Sequence, residues 1–289
     1  MKIKTCFSPK YYAPTPTASM RKLPLVARQV EKLGYAELVD PGTVDISLLK
    51  KLHDPAYVES FVKGLGPLAD SQGWPWSEAI RDGVLAIQAG QLVAARLALQ
   101  EKIAANVAQG FHHAGYESGS GFCTFNGLAL VAQEHPDKKI FVLDCDEHGG
   151  NGTEEFTHRL PNLFNFTIHG SRFGCYGTER SVLKTLRPIT KDFGKYERAL
   201  QEGFDRINSW HPDLILYQAG ADPHIDDPLG SLGMTTEQML RRDELVFTFC
   251  RQSQIPTMFV LAGGYQEPIE NLVPLHVNTF KAAWQVYIA

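Results

Sequence analysis

Asp144, Asp146 and His148 follow directly on an apolar run, Ile140 to Leu143, and a glycine-rich turn, Gly149-Gly150-Asn151-Gly152, comes after them. Residues two apart on an extended chain share a side. Two carboxylates and an imidazole therefore project together from the tip of one predicted strand. Buried charge of one sign is costly unless something positive sits among it, and a bound cation meets that need. The competing reading makes Asp144 a helix cap, Asp146 a solvated carboxylate and His148 a turn residue.

Three further sites carry groups of matching chemistry. Asp222 closes the apolar segment Leu214 to Gln218 through Ala219-Gly220-Ala221. With Asp146 and His148 it makes two carboxylates and one imidazole, and three protein ligands with a fourth position open are the pattern of catalytic zinc. Such a zinc polarises a carbonyl and brings the pKa of bound water toward ~7. Fe(II) suits the same hard and borderline donors. The tandem His112-His113, between Gly110 and Gly115, offers imidazoles that titrate near neutral pH. Tyr265 follows Gly263-Gly264, where the backbone can approach a ligand, and its hydroxyl is placed to donate to a developing oxyanion. Taken singly, the histidine pair is equally a surface feature and Tyr265 an aromatic packed on a rim.

The elements that must position these groups alternate along the chain. Met1 to Phe7, Ala104 to Ala108, Ile140 to Leu143, Asn165 to His169, Leu214 to Gln218 and Thr257 to Leu261 read as strands. Leu23 to Leu33, Asp45 to Leu52, Asp54 to Val62, Asp82 to Gln100, Phe125 to Glu134, Asp192 to Trp210 and Thr235 to Arg251 read as helices. Ser8 to Met20, Gly64 to Trp76 and Arg172 to Arg180 read as loops, with Trp74 and Trp76 packed on the body or lining an entrance. Continuous apolar strands between helices predict one α/β domain over residues 1–289, three-layer αβα with a mainly parallel sheet. Ligands of such sheets bind beyond the carboxyl ends of the strands, so four strand ends bring their polar groups to one rim.

Composition narrows the function classes. Of 289 residues, 44% are hydrophobic and 21% charged, as in an ordinary soluble globular protein. A net charge of −4 gives no general attraction to nucleic acid or an anionic membrane, and no apolar run nears the ~20 residues of a membrane span. Five scattered cysteines without a CxxC pair suggest neither a disulfide framework nor a thiolate cluster. With no signal-peptide pattern at the start, a cytoplasmic location is expected. The oligomeric state is left open.

The set of motifs resembles the histone deacetylase family, which has the arginase-like fold. The likeness rests on Gly110-Phe111-His112-His113-Ala114, Gly121-Phe122-Cys123, Asp144-x-Asp146-x-His148, Gly150-Asn151-Gly152, Gly220-Ala221-Asp222 and Gly263-Gly264-Tyr265. It runs from about Phe7 to near Ala283, with all motifs in family order. Arg242-Asp243-Glu244-Leu245-Val246-Phe247 is similar to the class IV branch and its bacterial relatives. The resemblance implies zinc on Asp146, His148 and Asp222, and a structural potassium ion at Asp144, Asp146, His148, Thr167 and Ile168. It implies His112 as general base oriented by Asp144, His113 as its partner beside Asn151, and Tyr265 polarising the acyl carbonyl. Phe122, with Phe173 or Tyr176, would line an acyl-lysine channel, and Leu229 would sit at its rim.

The implied reaction removes acetyl or longer acyl groups from N-epsilon-acyl-lysine in a protein or peptide, using metal-activated water and the histidine pair. An acetylpolyamine amidohydrolase acting on a small acylated amine is the nearest alternative, and acidic Glu117, Asp226 and Asp227 suit either substrate. A two-manganese ureohydrolase needs more ligands than this chain offers. A silent acyl-ligand binder, from another class, would lack one of His112, His113 and Tyr265. Two positions depart from the family. Gly149 replaces the usual second histidine after the zinc ligand, and Asn151 stands where some members have aspartate. A neutral amide predicts a lower proton affinity for His113 than an aspartate would. The compact chain suggests a prokaryotic enzyme whose substrate need not be a histone.

Overall fold

A computed structural model describes residues 1–289. Eight strands form one sheet: β1 (Ile3–Cys6), β2 (Ala36–Val39), β3 (Ile103–Asn106), β4 (Ile140–Asp144), β5 (Leu163–His169), β6 (Ser181–Thr185), β7 (Leu214–Ala219) and β8 (Thr257–Leu261). Their order is β2-β1-β3-β8-β7-β4-β5-β6, and every pairing is parallel. Strands β3, β4, β7 and β8, which carry the chemistry-bearing turns, are thus neighbours at the middle of the sheet. Adjacent strands lie about 4.8 Å apart, so their tips deliver side chains into one small volume.

Ten helices connect the strands: α1 (Ala18–Arg21), α2 (Leu23–Lys32), α3 (Ile46–Leu52), α4 (Pro55–Lys63), α5 (Glu78–Glu101), α6 (Gly127–Glu134), α7 (Asn151–Thr157), α8 (Gly194–Trp210), α9 (Thr236–Gln252) and α10 (Leu272–Tyr287). Helix α5 lies on β1, β3 and β8 with α6 beside it, while α10 packs between α2 and α9. This is the three-layer αβα arrangement, with a sheet that is wholly parallel. The central strands are apolar on both faces because both are covered: β3, β4, β7 and β8 are buried along their whole length. Each Val, Leu, Ile or Phe fully buried there contributes roughly 1.5–3 kcal/mol.

Local signals act as their chemistry requires. Asp54 accepts from Ala56 N and Tyr57 N ahead of Pro55 at the first position of α4. Thr235 and Gln238 make a reciprocal capping box at the start of α9. Edge strands β2 and β6, short and only partly buried, escape the sequence reading, as do α1, α7 and α10. No helix is long and apolar enough to cross a membrane.

Candidate active site

One ligand atom each from Asp146, His148 and Asp222 lies within 4.8 Å of the other two. Asp146 is held at both oxygens, Oδ1 by His148 N at 3.0 Å and Oδ2 by Gly263 N at 2.7 Å. Asp222 Oδ1 accepts from Glu147 N at 3.1 Å. Its Oδ2 is buried with no hydrogen-bond partner and lies 3.2 Å from His148 Nδ1. A buried carboxylate oxygen left free beside two other donors is what a divalent cation completes, so this donor set fits one. The close approach depends on Gly263, where a Cβ would come within 1.9 Å of Asp222 Oδ2.

The three groups differ in proton affinity, and Asp146, despite its burial, is held below the usual carboxylate range by His112 and His148. Burial works against a charged His148, yet the carboxylates of Asp146 and Asp222, at 3.4 and 3.2 Å, raise it to about 11. Burial, with the charge of Asp146, pushes Asp222 up to about 7. A metal ion entering here must displace a proton.

His112 and His113 follow β3 with ring centroids 3.9 Å apart. His112 Nδ1 is 2.7 Å from Asp144 Oδ2, and its Nε2 faces Asp146 Oδ1 at 3.8 Å. His113 Nδ1 is 2.7 Å from Asn151 Oδ1 at the start of α7. Each partner oxygen fixes a proton on Nδ1, leaving Nε2 for chemistry. The charges of the two rings diverge. Burial lowers His112, but the carboxylates of Asp144 and Asp146 outweigh it and raise the ring above its ordinary value. Burial and the neighbouring His112 drive His113 well below its own, and the bond to Asn151 does not reverse this.

Tyr265, His112, Phe122 and Asp146 line a cavity in which the centre of a water-sized sphere has about 20 Å³ of room. Burial, together with the charges of Asp222 and Asp146, pushes the Tyr265 phenol well above its usual range, so it stays a donor. The Gly263-Gly264-Tyr265 turn is clamped from two sides. Asp227 accepts from Tyr265 N at 2.7 Å and from Leu229 N at 3.0 Å. Lys22, 1% exposed and lowered by burial to about 8, donates through Nζ to the carbonyls of Ala262 at 2.8 Å and Gly263 at 3.2 Å. Asp227 is therefore not the free acidic rim group expected from the sequence, because two backbone amides occupy it. Asp226 and Glu117 remain exposed. Neither Lys22 nor the role of Asp227 carries a sequence signal, since their partners are backbone atoms of distant turns.

The expected channel residues divide. Phe122 borders the cavity with Trp74 stacked behind it at 5.5 Å, and Trp76 donates to Phe61 O on the body. Phe173 lies over His113, centroids 3.9 Å apart. Leu229 is 47% exposed, two residues past Asp227 on the loop that this carboxylate ties to Tyr265. Tyr176 is the correction: its side chain is 88% exposed and outside the cavity, because Glu154 pulls the loop backbone the other way. The Glu154 carboxylate accepts from Tyr176 N, Gly177 N and Ser181 Oγ at 2.8 to 3.1 Å. Gly149 is explained by the same loop, since a Cβ there would meet Arg172 O at 2.6 Å. Phe111, Phe122 and Phe173 all have positive φ, a strained conformation that surrounding contacts hold at functional sites. Thr167 and Ile168 lie buried on β5, with Thr167 in register with Asp144.

A parallel three-layer sheet with this rim defines an α/β protein of the arginase/deacetylase fold. The family model described as the histone deacetylase domain matches residues 16–280, and the chain belongs to that family, whose members are hydrolases acting on amides. It is 34% identical to an uncharacterised protein of Picosynechococcus sp. (strain PCC 7002), over 87% of this chain and 86% of that one. Histone deacetylase 2 of Arabidopsis thaliana is 31% identical over 62% of this chain and 48% of its own length. Acetylpolyamine amidohydrolase 1 of Pseudomonas aeruginosa is 28% identical over 53% and 48%. This chain thus aligns with about half the length of each of those two named enzymes. The crystal structure of an acetylpolyamine aminohydrolase from Burkholderia pseudomallei superposes with a TM-score of 0.84 over 99% of both chains at 19% identity, a likeness of fold.

Proposed function

We propose that this chain is a zinc-dependent amidohydrolase that removes a small acyl group from the side-chain amine of lysine in a protein or peptide. The observation that carries the reading is the grouping of Asp146 with His148 and Asp222, and of Asp146 with His112 and Tyr265 around one cavity, His113 lying beside His112. Asp146, His148 and Asp222 would hold the metal, Zn²⁺ or Fe²⁺, which supplies Lewis-acid polarisation of the acyl carbonyl and a more acidic water. Tyr265 donates to the carbonyl oxygen as negative charge develops there, from a turn fixed by Lys22 and Asp227. Asp144, Asp146, His148, Thr167 and Ile168 are the set for a structural potassium ion, supported by the pairing of β4 and β5 behind the site.

The proton directions favour a division of labour different from the one the resemblance implies. His113, its proton affinity lowered by burial and by His112, is the better acceptor of the water proton. His112, its proton affinity raised by Asp144 and Asp146, steadies the developing negative charge, and the pair returns a proton to the departing amine. A small acylated amine such as an acetylpolyamine is the second reading, supported by named relatives of that kind. Turnover of acetyl-lysine peptides against acetylpolyamines, with the metal-loaded protein, separates the two. Exclusive hydrolysis of acetylpolyamines would overturn the lysine assignment. Full activity in both His112→Ala and Tyr265→Phe would instead fit a protein that merely binds acylated ligands.

A further inference from the structure

Gln109, three residues before His112, and Gln218, on β7 itself, line the same cavity as Asp146, His112 and Tyr265. Gln218 lies within β7, whereas Asp222 lies three residues beyond its end and Asp146 two beyond the end of β4, so Gln218 marks the inner end, with Gln109 beside the histidine pair. Their backbones are fixed: Gln109 O accepts from Gln91 Nε2 at 2.9 Å, and Gln218 O accepts from Cys145 N at 3.0 Å. Gln218 is 1% exposed, and its side-chain Oε1 is buried without a hydrogen-bond partner. An unpartnered buried amide oxygen in a cavity wall asks for a donor, and an alkyl chain offers none.

We propose, resting on the deacylase reading above, that Gln109 and Gln218 are the end wall of the acyl site. They limit the chain to formyl and acetyl groups, and Gln109 sets the limit. Size and polarity act together here. Room of about 20 Å³ for a water-sized centre suits one methyl group. A propyl or heptyl chain would have to displace Gln109 and press against the open oxygen of Gln218. Gln109 is the movable part, since it leaves a loop whereas Gln218 is set in a central strand.

The test is kcat/KM for formyl, acetyl, butyryl and octanoyl groups carried on one lysine peptide and on one diamine. Wild type is expected to prefer acetyl over butyryl by at least about tenfold, the range that pocket size alone can enforce. Gln109→Ala should lower that ratio at least about fivefold, while Gln109→Met, equal in length without the amide, should stay near wild type. Butyryl or octanoyl hydrolysed by wild type as fast as acetyl overturns the proposal, as does an unchanged ratio in Gln109→Ala. If neither carrier is hydrolysed with any acyl group, the deacylase reading fails instead. The wall is then tested by acetate and butyrate binding to zinc-loaded protein, followed by melting temperature. A larger shift with acetate supports it, and equal shifts overturn it.

Discussion

The floor of the site and its mouth are built on opposite principles. At the floor, Asp146 is held at both oxygens, each histidine has a partner at 2.7 Å, and Tyr265 sits on a turn clamped by two buried charges. At the mouth, Ile225, Leu229 and Tyr176 are 52%, 47% and 88% exposed. A floor fixed before substrate arrives needs no reorganisation during the reaction, which is where electrostatic catalysis draws its strength. Exposed side chains on a loop can change with little cost to the fold. On the proposed function, the contrast assigns the reaction and the acyl limit to the floor, and the choice of amine to the outer loops.

That contrast is broken or sharpened by a graded set of substitutions. The largest effect is expected from Asp222→Asn, which removes the one carboxylate oxygen left free for a cation. Bound metal per chain should fall, and kcat/KM for an acylated substrate should drop by at least about 1,000-fold, as loss of several kcal/mol of charge stabilisation requires. Metal analysis beside kinetics checks it, and retained metal with full activity would contradict it. Tyr265→Phe should keep the metal and lower kcat about 100- to 1,000-fold, the range for one lost oxyanion donor.

Asn151→Asp should act on pH rather than on the maximum rate. A carboxylate against His113 raises its pKa, so the neutral form needed to accept a proton appears only at higher pH. The acid limb of the kcat/KM profile should then move up by about one unit. An unmoved limb would return the base role to His112. Tyr176→Ala, at the mouth, should change stability by less than about 0.5 kcal/mol, as exposed substitutions do. Its effect on catalysis should be confined to KM, and a tenfold loss of kcat would bring the loop into the floor.

The same division explains what was legible in the sequence. The strand tips were, because an apolar run that ends in Asp144-x-Asp146-x-His148 or in Gly263-Gly264-Tyr265 states both the element and its cargo. The adjacency of β3, β8, β7 and β4 was not, since strand order is set by long-range packing. Single charged residues whose partners are distant backbone atoms, Lys22, Glu154 and Asp227, were equally silent. Tyr176 was misplaced for a related reason: Glu154, 22 residues away in the chain, decides which way its loop faces. Gln109 and Gln218 are glutamines in apolar surroundings, and only the cavity gives them meaning.

The account stands most directly on a metal titration of the stripped protein at fixed pH, read as hydrolysis of an acetylated amine substrate. It predicts activity that is absent without metal, rises linearly with added zinc or Fe²⁺ and breaks at one equivalent per chain, and that Asp222→Asn abolishes. Hydrolysis that persists undiminished in chelator, or that rises identically in Asp222→Asn, would contradict it.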